Sequence, residues 1–290
     1  MLEKSYMRLT TLPNAADVRP LPVLRQAFDL VKRKWEAERD YVYACDMLKS
    51  IRQDLTVQHL TQADGPRCAF AAHVYETHAT IALQSGDLGE FGACQAALVP
   101  LHAARPSARA AEFGAYRLLH AAALRGASLA AELHGILSSL RPEAAADPAV
   151  TQALQLGVAL QSDDEIRVLE VLPRLHGFGA CLFTPQLPQL RERALHRLCR
   201  AYAPSVPLEL LTRRLGWNGD ERGCERFLRA LGTVPARASG RPEAELDTRA
   251  ALRTLGDRAA AARAAQLATV PTPEWEVGPA VPFDLLVGDW

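Results

Sequence analysis

Apolar positions in the first half of the chain recur at intervals of three and four. Between Val23 and about His59 they fall at Leu24, Phe28, Val31, Trp35, Tyr41, Ala44, Leu48, Ile51 and Leu55, a spacing that lays one buried stripe along a helix. A break near Arg39-Asp40 divides the stretch into two helices. Similar units follow at about 67–85, 87–103, 109–125, 128–140, 147–161, 163–175 and 186–203. Their punctuation is Ser85-Gly86-Asp87, Pro106-Ser107, Gly126, Arg141-Pro142 and Ser162-Asp163. Helices of this length are marginal alone in water, so they must stack. Antiparallel pairs recurring every ~30–40 residues describe a TPR-like helical stack, although the TPR consensus itself is absent.

The pattern changes after Ala201. Shorter helices, Pro207–Leu215 and Asp220–Leu231, flank Gly216-Trp217-Asn218-Gly219. A stretch rich in Gly, Pro and short polar residues (Gly232–Arg241) then leads to Leu246-Asp247-Thr248-Arg249. Two short helices, a turn and a loop with one or two strands fit a small winged-helix module. The expected organisation is an irregular segment at 1–22, where Pro13, Pro20 and Pro22 forbid a continuous helix, and a helical-repeat stack at 23–203. A winged-helix module at 204–250, a C-terminal Ala-rich helix at 249–268 and a flexible tail at 271–290 complete it. That tail carries four acidic residues and no basic one.

Composition agrees with the helical reading. Ala and Leu, the strongest helix formers, dominate, whereas aromatic residues are only 6% of the 290. The fold class is therefore all-α. Charge changes the picture more. Lys and Arg total 33 and so do Asp and Glu, so a whole-body electrostatic grip on nucleic acid or anionic lipid is excluded and any such contact must be local. Only Lys4, Lys32, Lys34 and Lys49 are lysines, and Arg supplies the rest. Arginine enrichment suits bidentate phosphate recognition, but GC-rich coding, which raises Ala, Gly and Pro as well, accounts for it more simply. The six cysteines form no Cys-x-x-Cys pair and read as reduced thiols. Met1-Leu2-Glu3-Lys4-Ser5 lacks an apolar stretch, so no signal peptide is expected, and no apolar run approaches a membrane span.

Motifs for catalysis are missing. Neither phosphate-cradling Gly-rich spacing occurs, nor His-Glu-x-x-His, nor a structural-zinc cluster. His73 and His78 stand about 140° apart on a helix and do not converge on one metal. No cofactor, metal or enzymatic activity is expected.

Two features carry candidate function. In Cys45–Gln58, Leu48, Ile51 and Leu55 face inward, and Asp46, Lys49, Arg52 and Asp54 form polar positions beside them. These make either a surface salt-bridge ladder or a buried network fixing how helices cross. The second feature is Arg222, Arg226 and Arg229, spaced i, i+4 and i+7 on one helix face, with Arg213 and Arg214 ending the preceding helix. From Pro185 to Ala230 nine arginines face five acids, a local excess of four. In a winged helix the second of these helices is the usual groove reader, so the face meets phosphates, or else it is solvated and paired with Glu225 and Asp220.

Several stretches resemble the Sac/GANP/Thp family. They are Glu3–Thr10, Val18–Leu24, Asp40-Tyr41-x-Tyr43-x-Cys45-Asp46 and, most specifically, Lys49–His59. Val74–Leu83, Gly86-Asp87-x-x-Glu90-Phe91-x-x-Cys94-Gln95 and Glu112–Leu119 continue the likeness, which covers about residues 2–250 and is similar to the Thp-three and leukocyte-receptor-cluster-member-eight branch. Ser162–Val168 and Gly177–Phe183 depart from the family pattern. The resemblance implies a PCI-type fold, stacked helices ending in a winged helix. It also implies a non-catalytic scaffold in nuclear messenger-RNA transcription, processing and export. Such a subunit pairs with a second PCI-type protein, recruits a small acidic subunit and contacts RNA or DNA through the winged helix. Arg213, Arg214, Arg222, Arg226 and Arg229 occupy the matching region. The rival expectation is a structural subunit, proteasome-lid-like, with no nucleic-acid contact.

Overall fold

A computed structural model describes residues 2–8, 17–61, 66–124, 128–217, 219–237 and 244–269. The expected flexible tail, 271–290, lies outside the described residues. Two compact units divide the chain: Met1–Ala194 with Arg214–Gly216, and Leu195–Arg213 with Trp217–Trp290.

The first unit is a stack of helices. Helix α1 (Leu21–Glu38) starts two residues earlier than the prolines suggest, because Pro22 sits in its first turn, where a missing N–H costs nothing. Arg39 adopts a left-handed conformation, φ 55°, and its N–H closes α1 on the Trp35 carbonyl. Asp40 then accepts from Tyr43 N and starts α2 (Tyr41–Val57), so the expected break falls at Arg39-Asp40. Leu24, Phe28 and Val31 of α1 and Leu48, Ile51 and Leu55 of α2 are buried, as their period demands.

Helix α3 (Pro66–Ser85) packs against both α2 and α4 (Leu88–Ala104). Asp87 begins α4 by accepting from Glu90 N at 2.8 Å, while its other oxygen accepts from the Tyr41 hydroxyl at 2.7 Å, tying the cap to α2. Helix α5 (Ala110–Leu124) packs on α6 (Leu129–Ser139) and α8 (Pro148–Gln161), with α7 (Pro142–Ala145) between. Phe91, Phe113 and Tyr116 meet edge to face at the centre. Helix α9 (Glu165–Val171) is followed by 3-10 segments at Leu172–Arg174 and Gly179–Gln186. Thus the stretch that departs from the family pattern, 177–183, is ordered by tertiary contact: Phe178 N donates to the Tyr116 hydroxyl at 2.9 Å. Gly177 has φ 60°, and a Cβ there would collide with that hydroxyl.

The division between units falls within α10 (Leu187–Ala201). In the second unit, strand β1 (Ser205–Pro207) precedes α11 (Leu208–Arg214) and α12 (Glu221–Ala230), followed by β2 (Ala236–Arg237) and β3 (Ala244–Asp247). The strands form one antiparallel sheet in the order β1-β3-β2, pairing Val206 with Leu246 and Ala236 with Glu245. Val206 and Leu246 turn into a core with Leu211, Cys224 and Leu228. Helix α13 (Thr248–Thr269) follows directly, its Thr248 hydroxyl donating to the Pro204 carbonyl. The described residues are thus overwhelmingly helical, as the sequence implies. Strand β1, α7 and the 3-10 segment at Gly179–Gln186 are elements the sequence pattern does not reveal.

Candidate functional site

Helix α12 is built to display its arginines. Asp220 accepts from Gly223 N at 2.9 Å and starts the helix, and Gly223 is required because a Cβ would strike Trp217. Cys224 and Leu228 face the core and Phe227 packs on Trp217, centroids 6.1 Å apart. The opposite face is therefore solvent. Arg222, Arg226 and Arg229 are all exposed there. Arg229 approaches Glu225 at a loose 3.9 Å, and neither Arg222 nor Arg226 pairs with a carboxylate among the described residues. Exposed pairs of this kind contribute little, so all three guanidinium groups are available. Arg213 is exposed as well. Arg214 differs: it is half-buried and pairs with Glu170 in the first unit.

The polar residues of α2 separate into two clusters. Asp46 and Asp54 bind the segment before α1. Asp46 accepts from Tyr6 N at 3.0 Å, and buried Asp54 receives Lys4 Nζ at 2.8 Å and Arg19 Nε at 2.6 Å. Arg19 also donates to Ser50 Oγ and the Leu2 carbonyl, so residues 2–8 are tied across α2 by charge-assisted hydrogen bonds. Lys49 and Arg52 instead reach α4. Lys49 Nζ lies 2.8 Å from one oxygen of Glu90 and Arg52 Nη1 2.5 Å from the other. The same Nη1 contacts His78 Nδ1 at 3.2 Å and Cys94 Sγ at 2.7 Å.

His78, Glu90 and Cys94 bring donor atoms within 4.8 Å of one another, a grouping that could hold a metal ion. Arg52 Nη1 contacts all three, so a cation is already supplied by the chain. Burial first, and then Arg52 and Lys49, hold the His78 imidazole neutral, with its pKa lowered to about 3. Burial pushes the Cys94 thiol up to about 12, which keeps it protonated and unreactive. His73, five residues away, meets Phe28 edge to face instead.

A third cluster joins α3 to α4 and the turn before α5. Glu76 contacts His102 Nε2 at 2.8 Å and accepts from the Ser107 hydroxyl. A serine nucleophile needs its base and the orienting acid on opposite ring nitrogens. Here both neighbours meet Nε2, so the trio is a hydrogen-bonded brace.

Residues 96–234 match the model of the SAC3/GANP family, a stretch that runs from α4 through α12 and takes in all five arginines. The chain carries a SAC3/GANP family domain. A THP3 homolog of Schizosaccharomyces pombe is 38% identical over 236 residues, covering 80% of this chain and 56% of that protein. A leukocyte receptor cluster member 8 homolog of Xenopus laevis is 35% identical over 257 residues, 88% of this chain and 30% of the relative. Protein THP3 of Saccharomyces cerevisiae is 31% identical over 231 residues, 76% of this chain and 46% of the relative. The chain spans about half, or less, of the length of these curated relatives. No helix among the described residues is long and apolar enough to cross a membrane.

Sequence reasoning missed Arg19, His78, Glu90 and Cys94 as members of the polar clusters around α2. Glu90 carried a signal, since Asp87-x-x-Glu90 has capping-box spacing and fixes where α4 begins. Arg19, 35 residues from Asp54, carried none.

Proposed function

We propose that this chain is a non-catalytic, PCI-type scaffold subunit of a nuclear complex acting in messenger-RNA transcription, processing and export. In this reading it pairs with a second PCI-type protein, recruits a small acidic subunit and contacts RNA or DNA through a winged-helix module at 204–250. The observation that carries the nucleic-acid contact is the exposed arginine face of α12, set on the helix opposite Cys224 and Leu228. The order of elements supports it: α10, β1, α11, α12 and then the β2–β3 hairpin is the succession a winged helix requires. Kinship with THP3 supports the messenger-RNA setting. A protonated Cys94 and a bracing Ser107 support a scaffold role over a chemical one.

Phosphate contacts from arginine position a nucleic acid without reading its sequence. A neutral chain with one cationic face binds weakly alone and gains from a partner that extends the surface. Affinity purification of the tagged chain followed by mass spectrometry tests the setting. Recovery of a second PCI-type protein and messenger-RNA factors is the expected result. Recovery of proteasomal particles would replace this reading with that of an assembly subunit.

A further inference from the structure

Helix α4 has no polar outer face. From Ala93 onward its solvent side carries Ala93, Ala96, Val99, Pro100, Ala103 and Ala104, without a charge or a hydrogen-bonding group among these side chains. A helix apolar all round belongs inside a structure, yet α4 packs on α3 and touches α5 while this side stays open. Beside it runs a groove floored by α5 and bounded on the far side by α6. Two hollows, of about 180 and 230 Å³, open into the groove, and exposed Val99 borders both.

The two ends of this surface carry opposite charge. At the C-terminal end of α4 stand Arg105 and Arg141, both exposed, and Arg141 donates to the Ala103 carbonyl at 3.1 Å. On α6, across the second hollow from Gln95 and Ala96, stands exposed Glu132. Among the described residues the two arginines meet no carboxylate, and Glu132 meets no lysine or arginine. Val99 divides the surface evenly. Ala103, where Arg141 binds, lies four positions after it, and Gln95, at the level of Glu132, four positions before, about 6 Å either way. A surface with an apolar middle and opposite charges at equal distances from it is complementary to itself turned end for end.

We propose that two copies of this chain pair through this face about a two-fold axis at Val99, with their α4 helices antiparallel and each α4 ridge set into the groove of the other copy. Small side chains let such helices approach to about 8 Å. Glu132 of each copy then meets Arg105 and Arg141 of the other. Size sets the strength. Helix α4 has 17 residues, about 25 Å, and with α6 beside it is about 20 Å across, so each copy covers about 500 Å². About 1,000 Å² in total is the lower limit for a specific interface, so the pair is weak, dissociating in the micromolar range. Arg117 also limits it. Half-buried on the groove floor and donating to Ser139 Oγ at 3.2 Å, it is a cation that pairing covers. All these residues belong to the first unit, and the proposal does not depend on the arginines of α12.

Sedimentation velocity of the full chain at about 1–200 µM tests it. Expected is a reversible rise from one chain mass to two, with its midpoint inside that range. Ala96→Glu puts a charge at an exposed position in the apolar middle and should leave a monomer throughout, with the melting temperature unchanged. Glu132→Arg should weaken pairing about tenfold, and adding Arg105→Glu and Arg141→Glu to it should restore the wild-type midpoint. A wild-type monomer at every concentration would overturn the proposal. So would pairing that survives Ala96→Glu, which would put the contact on another face. Failure of the charge-swapped variant to recover would overturn it as well, because the antiparallel arrangement requires that rescue.

Discussion

His78 has no solvent exposure and sits beside two cations, and these facts set how the protein responds to acid. An unfolded chain binds a proton at this imidazole near pH 6.5, whereas the folded chain resists until about 3. Between those values the unfolded state holds the extra proton, so stability falls as pH drops, by up to about 1.4 kcal/mol per pH unit. Urea midpoints measured from pH 4 to 7 should show this slope, and His78→Gln should flatten it, leaving what His73 and His120, also lowered by burial, and, toward pH 4, the lowered carboxyls of Asp87 and Glu112 contribute. An unchanged slope in His78→Gln would contradict the assignment. Asp54 offers a second check at this scale. Asp54→Ala strands the Arg19 guanidinium in a buried site and should cost about 3–5 kcal/mol. Asp46→Ala removes one exposed bond to Tyr6 N and should cost about 1 kcal/mol or less by the same denaturation measurement.

At the scale of the element, caps and core faces decide where helices stand. Asp87→Ala removes both the α4 cap and the bond from Tyr41, and should cost about 1–2 kcal/mol in urea denaturation. Phe113→Ala empties the contact with Tyr116 and should cost about 3–5 kcal/mol. The same features explain what could be read from sequence. The α1–α2 break was legible because Asp40 is a cap residue between two apolar stripes, and the α12 face because arginines at i, i+4 and i+7 share one side of any helix. Strand β1 was not, because three residues ending in proline have no period and gain their strand character from pairing with β3, forty residues later. The segments at 142–145 and 179–186 were equally hidden, since elements this short are held by contacts such as that of Phe178 with Tyr116. Arg19 lies outside any pattern, and only the fold brings it to Asp54.

For the whole molecule, neutrality conceals an uneven layout. The 185–230 segment carries four excess positive charges, and Arg222, Arg226 and Arg229 present theirs to solvent. Arg214, engaged by Glu170, contributes to stability more than to binding, so Arg214→Ala should alter the urea midpoint and leave nucleic-acid affinity nearly unchanged. The most direct measurement takes the complex recovered with the tagged chain and follows its affinity for single-stranded RNA and duplex DNA against salt concentration. The wild type is compared with the Arg222→Glu, Arg226→Glu, Arg229→Glu variant. Expected is a loss of binding near physiological salt, a log–log salt slope reduced by about two to three, and an unchanged melting temperature. Equal affinity and an equal slope in the variant would show that the arginine face of α12 does not touch nucleic acid.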